Sequence, residues 1–319
     1  HVTDRRQRQM CIRDRVSTGP KEDKMGIRAS ATTTVSFDNV VVPAENLLGE
    51  EGKGFKQAMG ILNNGRTGLG GGCVGGMKRC IALSRTQASD RKQFGKPIAE
   101  FGLVKQKIAQ MTIDCFAAES VVSMVGHYID SGIEDFSVEA AISKVFATEA
   151  MWNASYEALQ ISGGNGFMKE FPYEMITRDA RINTIFEGTN EILRLYIALS
   201  GMKDAGAYLK DLAKSLSGIF NEPIKGFGVL SNYAAKKLSQ LTSLGRDKVD
   251  FVASALREEA TILELQTQQL AKETDTILRR HGKNIIGKQF AMKRIADVTI
   301  DLFVGFCVLS RVTTMINDK

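Results

Sequence analysis

From Gly52 almost to its end, the chain places apolar residues at the spacing of one helical face. "FKQAMGILNNGR" opens a helix that runs to about Arg91. "FGLVKQKIAQMTIDCFAAESVVSMVGHYID" is a second, with Gly132 just beyond its C-terminus. "SVEAAISKVFATEAMWNASYEALQISGG" is a third, and Ser137 with Glu139 suggests a capped start. A fourth begins near Thr189–Asn190, both good N-cap residues, and continues through "EILRLYIALSGMKDAGAYLKDLAK". Four long amphipathic helices bury their stripes against one another, so the expected fold is mainly α, built on a four-helix bundle. Another helical region follows residue 205. Within it "VTIDLFVGFCVL" (298–309) contains Asp301 and is shorter than the roughly 18 apolar residues of a membrane span, so it reads as a core helix.

The beginning differs. Residues 1–15, "HVTDRRQRQMCIRDR", are arginine-dense and lack an apolar pattern, as in a disordered or non-native piece. Residues 16–52 are rich in Thr, Val and Ser. "TTTVSFDNVVVP" predicts two short strands around an Asp38–Asn39 turn, stopped by Pro43. Two or three strands do not make a stable β unit, so this segment needs further strands.

Composition narrows the chemistry. Five cysteines show no CxxC pairing, which argues against a disulfide framework or zinc site. Three scattered histidines give no metal-ligand pattern, and no metal is expected. The net charge of +6 admits anionic partners, but no nucleic-acid motif accompanies it. In residues 222–245, Lys225, Lys236 and Lys237 alternate with Phe227, Val229, Leu230, Tyr233 and Leu238. That pattern suits either a peripheral membrane contact or an ordinary surface segment.

Three polar, glycine-bearing turns could carry function. "SDRKQFGKPI" (89–98) is a solvated link unless Arg91 holds a phosphate, which a guanidinium matches with two hydrogen bonds. "QISGGNGF" (160–167) ends a helix, and near a pyrophosphate Gly163 and Gly164 would let backbone N–H groups approach. In "RINTIFEGTNEILRLYIAL" (181–199), Glu187 sits beside apolar residues at the start of a helix, where an anion is favoured. It is either a polar turn residue or a carboxylate held dry. "GGGCVG" (70–75) satisfies G-x-G-x-x-G but lies inside a helical stretch, so close helix approach is the better reading.

Taken in order, "LNNGR", "DRKQFG", "QISGGNGF", "RDARI" and "IFEGTNEILR" resemble the acyl-CoA dehydrogenase family. The C-terminal region is similar to the extension of its very-long-chain branch, which includes a relative serving respiratory complex I assembly. The resemblance implies an FAD enzyme that oxidises a long or very long acyl-CoA to the trans-2-enoyl-CoA and passes electrons to electron-transfer flavoprotein. A helical assembly scaffold is the alternative it allows. By the same match Glu187 is the base for the α proton, and a dry, apolar setting strengthens it for that task. Phe186, Gly188, Asn63 and Arg66 match substrate positions, although Asn63 stands where other branches carry Asp. Thr189, Asn190 and Glu191 match FAD contacts, with Glu191 in place of the usual Gln. Arg91, Phe94, Gln160, Gly163 and Gly164 match contacts to the FAD of a neighbouring subunit, which implies a homodimer. The implied organisation is a remnant of the middle β domain at 16–52, the dehydrogenase bundle at 53–204 and a C-terminal helical extension at 205–319. The chain then reads as a fragment, expected to bind FAD poorly and to be inactive alone. The implied location is the matrix face of the inner mitochondrial membrane in a eukaryote, or the cytoplasm in a bacterium.

Overall fold

A computed structural model describes residues 15–202, 249 and 251–318. The expectations for residues 1–14, for 222–245 and for the run of the fourth helix past 202 lie outside these residues.

Among the described residues the fold is mainly α. The longest helix, α1 (Gly54–Asp90), buries one narrow stripe: Arg66, Gly70, Cys73, Met77, Cys80, Ser84 and Ala88. Their steps of three and four residues keep them on one face. Most are small, so neighbouring helices come close. A Cβ added to Gly70 would stand 2.9 Å from Ser143 Oγ, and one added to Gly76 would stand 2.7 Å from Met151. Gly70 is a close helix contact, as the reading of "GGGCVG" expected, and Gly76 just past the motif is another; Gly72 and Gly75 have no such neighbour.

Helix α2 (Gly102–Asp130) follows a small hairpin, β3 (Lys92–Gln93) with β4 (Lys96–Pro97). Gly132, at φ +74°, lies just past its end, a backbone state that glycine adopts at little cost. By length and composition alone α2 is apolar enough to cross a membrane. Here Met111, Cys115, Ala118, Val121 and Val125 are buried between helices.

Helix α3 (Ser137–Ser162) is buried on nearly every side, from Ala140 to Ser162, and is the centre of the molecule. Its start corrects one expectation. Ser137 is inside the helix rather than capping it, and its N–H and Oγ both donate to Asp135 Oδ1, at 3.1 and 2.6 Å. The short α4 (Gly164–Phe167) and α5 (Tyr173–Arg181) follow. Helix α6 begins at Asn190 and is described through residue 202.

Two apolar clusters hold these parts together. One joins Cys73, Met77 and Cys80 of α1 to Met111 and Ala118 of α2, Ala147, Ala150 and Met151 of α3, and Tyr173 of α5. The other joins Val121 and Val125 of α2, Ile142 and Val145 of α3, and Leu193 and Ile197 of α6 to Met292, Ile300 and Val304. Those last residues belong to α8 (Gln289–Asn317), which pairs with α7 (Arg257–His281). The stretch 298–309 is a core helix as expected.

The strand expectation is corrected. β2 (Val35–Phe37) does not pair across Asp38–Asn39. It pairs antiparallel with β1 (Val16–Thr18), upstream. Asp38 N–H donates to Arg15 O at 2.9 Å, and Arg15 donates to Asn39 O at 2.7 Å. Residues 40–43 form no strand; Val41 and Val42 are exposed, and Pro43 has no N–H to give a ladder. The segment is tied to the bundle at α5, where Ile27 N–H donates to Asp179 and Arg178 donates to Met25 O.

Candidate active site

The chain leaves α5 through a tight turn at 182–184 and enters α6 after Thr189. Between them Glu187 has φ +59° and Gly188 φ +93°. Glycine adopts such angles freely. Glutamate does so at a cost of order 1 kcal/mol or more, so its surroundings must impose the shape. Two buried cations do this from beneath. Arg66 Nε of α1 donates to Glu187 O at 3.1 Å, and Lys144 Nζ of α3 donates to Gly188 O at 2.8 Å. Gly188 also has no room for a side chain, because a Cβ would meet Leu193 at 3.3 Å.

Both cations are deeply placed: Arg66 is 4% exposed and Lys144 fully buried. Burial, opposed in part by nearby Tyr196 and Glu187, lowers Arg66 below its ordinary value. Burial first, and the like charge of Arg66 second, brings Lys144 down from 10.5 to about 8. Buried charge is tolerated only when hydrogen-bonded, and the partners are present. Arg66 Nη1 donates to Asn63 Oδ1 at 2.9 Å, and Lys144 Nζ donates to Asn190 Oδ1 at 2.7 Å. Asn190 Nδ2 in turn donates to Thr148 Oγ1 and Glu149 Oε1, each at 3.1 Å. Glu149 receives both Arg194 Nη groups, at 2.7 and 2.8 Å, and Arg194 Nε reaches Asp297 of α8 at 2.6 Å. A continuous polar path therefore runs from the turn to the C-terminal helix pair.

The carboxylate answers the question left open by the sequence. Glu187 is half-buried, and its Oε2 is shielded from solvent with no hydrogen-bond partner among the described residues. It lies over Gly65 of α1, where an added Cβ would stand 3.2 Å from Oε2. A shielded carboxylate oxygen without a donor is costly to maintain, and its lone pairs are left uncommitted.

The other residues singled out in the sequence fall at two ends of the bundle. Asn63, Arg66, Phe186, Glu187, Gly188, Thr189, Asn190 and Glu191 share the first. Thr189 caps α6, accepting from Ile192 N–H at 3.4 Å. Glu191 is exposed, and Phe186 sits at the surface beside the carboxylate. Asn190 is 2% exposed, so its side chain serves the buried network. Helices α1 and α3 run parallel, since Gly70 faces Ser143 and Gly76 faces Met151. The end of α1, with Arg91 and Phe94, therefore lies at the same end of the bundle as Gln160, Gly163 and Gly164. From Lys144 to Gln160 the rise along α3 is about 24 Å. At this second end Arg91 and Gln160 are exposed, and Phe94 is 92% exposed with φ +51°. Gly163 takes φ +57°, ψ −135°, which only glycine adopts readily.

Lys144, Thr148, Glu149 and Arg194 escaped the sequence reading. A signal existed for the first: a lysine within "AAISKVFATEA", a helix stretch apolar on every side.

Known proteins share this bundle. Residues 52–202 match the "Acyl-CoA dehydrogenase, C-terminal domain" family, and residues 254–319 match "ACAD9/ACADV, C-terminal domain". The bovine very long-chain specific acyl-CoA dehydrogenase, mitochondrial, is 44% identical over 95% of this chain and 46% of its own length. The human protein of that name is 42% identical over the same shares. The chain thus spans about half the length of the curated relatives it matches. Among solved structures, an acyl-CoA dehydrogenase complexed with FAD from Bacillus anthracis is 30% identical with a TM-score of 0.79, covering 95% of this chain and 51% of that one. Butyryl-CoA dehydrogenase from Megasphaera elsdenii is 40% identical with a TM-score of 0.56, covering 57% and 48%. Two successive domain matches, the identities and the shared bundle show that the chain belongs to the acyl-CoA dehydrogenase family.

Proposed function

We propose that the chain carries the base and part of the cofactor seat of an enzyme that converts a long- or very-long-chain acyl-CoA to its trans-2-enoyl-CoA. The observation that carries this reading is the shielded, unpartnered Oε2 of Glu187 in a turn that two buried cations hold. Glu187 accepts the α proton of the thioester. Its neighbours keep water from Oε2, so less of the carboxylate's hydration shell has to be given up when substrate arrives. Gly188 and Phe186 flank it where the thioester end would lie, and Asn63 and Arg66 support the turn from α1.

The residues present fit FAD. The capped start of α6 offers Thr189 and Glu191 beside the base and, at Asn190, whose side chain is taken up by the buried network, only the main chain; it is a helix N-terminus suited to phosphate. At the second end, Arg91 offers a guanidinium, Phe94 an exposed ring, Gln160 an amide, and Gly163 and Gly164 an open backbone. In this reading the two ends, about 24 Å apart along α3, serve the cofactors of two subunits, as the family resemblance implies. A homodimer, in which the second end of one subunit meets the FAD of the other, satisfies both. Bound FAD would supply the acceptor for the β hydrogen as hydride; with the α proton given to Glu187 and that hydride to the acceptor, the new C=C bond remains. Electron-transfer flavoprotein is the acceptor that returns the cofactor to use. In a eukaryote the site of action is the mitochondrion, the compartment in the names of the mammalian relatives.

The test uses the complete gene product. The wild type should carry flavin that bleaches on addition of palmitoyl-CoA. Glu187→Gln should retain flavin and fold, and lose bleaching by about 10²–10⁴-fold. A Glu187→Gln protein that bleaches at the wild-type rate contradicts the assignment.

A further inference from the structure

We propose that Lys144 is a positioning residue for the Glu187 base, acting through the main chain of the turn; this rests on the dehydrogenase reading above. Lys144 is the only fully buried lysine among the described residues. Its ammonium has two acceptors, Gly188 O at 2.8 Å and Asn190 Oδ1 at 2.7 Å. Gly188 directly follows Glu187, and Asn190 comes two residues later as the first residue of α6. Gly188 O belongs to the Gly188–Thr189 peptide, one peptide beyond the one that carries Glu187 O. One cation thus pins the exit of the turn, while Arg66 pins Glu187 O itself at 3.1 Å.

Positioning is required because the turn does not favour its own shape. Glu187 at φ +59° would relax toward negative φ if the carbonyls were free. That relaxation would swing the carboxylate away from Gly65. Lys144 is itself fixed. Asn190 is held by Thr148 and Glu149, and Glu149 is gripped by Arg194. A misplacement of about 1 Å at a reacting group can cost about 100-fold in rate. A residue that merely fills space would not act on the chemical step in this way.

The charged and titratable groups facing Lys144 are Arg66 and Cys73 of α1, Glu149 of α3 and Glu187 of the turn. Arg66 repels the ammonium; Glu149 and Glu187 favour it. Burial outweighs them and leaves Lys144 near 8, so its charge weakens at mildly alkaline pH.

The experiment compares wild type, Lys144→Met, Lys144→Gln and Glu187→Gln in the complete, FAD-loaded gene product. It reads the rate of flavin bleaching by palmitoyl-CoA and by its α-deuterated form, normalised to bound flavin. Lys144→Met should bleach about 10–100-fold more slowly, with a larger α-deuterium isotope effect than wild type. Lys144→Gln keeps an N–H donor for Gly188 O and should recover much of the rate. The alkaline limb of the wild-type rate near pH 8 should be absent in both lysine variants. Wild-type rates and isotope effects in both variants would overturn the proposal. So would a loss that disappears on normalisation to bound flavin, since that is a structural role alone. If Glu187→Gln bleaches as wild type does, the dehydrogenase reading fails; if Glu187→Gln is dead while the lysine variants are normal, only the role of Lys144 fails.

Discussion

The two ends of the bundle are built on opposite principles. At the base end, the partners of the turn among the described residues are Arg66 from α1, Lys144 and Glu149 from α3, and Asn190 and Arg194 from α6. Arg66, Lys144 and Asn190 are buried, Glu149 is partly exposed, and their hydrogen bonds bear the strain at Glu187. At the other end, Arg91, Phe94 and Gln160 face outward, and Phe94 holds a positive φ while 92% exposed. Its ring meets Phe101 edge-on, with centroids 6.2 Å apart. The first end is preorganised; the second leaves its groups facing outward. Substitutions at the first should therefore disturb stability and chemistry together, whereas those at the second should leave stability alone.

The largest expected effect breaks this contrast if it fails. Arg91→Ala in the complete gene product should weaken FAD retention by about 10–100-fold, the worth of a charge-assisted contact of roughly 1.5–3 kcal/mol. Its unfolding free energy, compared between the flavin-free proteins, should stay within about 0.5 kcal/mol of wild type, because an exposed side chain is removed. Flavin content after dialysis and denaturant unfolding read the two quantities. A destabilised Arg91→Ala protein would show that the second end, too, is internally braced.

The second prediction follows Lys144 through pH. Its folded value, about 8, lies below its ordinary 10.5, so unfolding takes up a proton between those limits. The cost of burying the charge stands in full below about pH 8 and is relieved as pH rises toward 10.5. Lys144 should therefore make stability rise with pH across that window, by roughly 3 kcal/mol at most. Lys144→Met should lack this component, so the difference between the two denaturant-unfolding curves against pH isolates it. A difference that falls across the window would contradict the placement of Lys144.

The third separates stability from chemistry at the base end. Gly65→Ala adds a Cβ where the Glu187 carboxylate lies, 3.2 Å from Oε2. Alanine favours the helix by about 0.5–1 kcal/mol, so thermal stability should rise while turnover falls by about tenfold. A variant that gains stability and keeps full turnover would show that the carboxylate does not work from this position.

The smallest effect lies farthest away. Asp297→Asn loosens Arg194 at the end of the polar path and should cost about 1 kcal/mol in denaturant unfolding. Turnover should change by less than in Lys144→Met. An equal or greater loss of turnover would move the control of the turn from Lys144 to the C-terminal helix pair.

Much of this was legible from residue types alone. The helical spacing of α1, α2 and α3, and the start of α6 at Thr189–Asn190, follow from local periodicity and capping. The candidate base was visible as a carboxylate beside apolar residues, although the sequence left a polar turn equally open. Two things were hidden, for the same physical reason. The partner of β2 lies about twenty residues upstream, at Val16–Thr18, and local turn chemistry at Asp38–Asn39 could not reveal a non-local ladder. The partners of Lys144 lie 44 and 46 residues downstream, and one is a main-chain carbonyl that has no identity in the sequence. In the same way, Ser137 looked like a cap until Asp135 was seen to occupy its N–H.

Incubating the complete gene product in D2O with an acyl-CoA that cannot release a β hydride tests the central claim most directly. If Glu187 is a base held dry in a braced turn, the wild type exchanges the α hydrogen for deuterium, Lys144→Met does so more slowly, and Glu187→Gln does not exchange above the buffer rate. Exchange at the wild-type rate in Glu187→Gln would show that another group removes the proton, and the account of this site would be wrong.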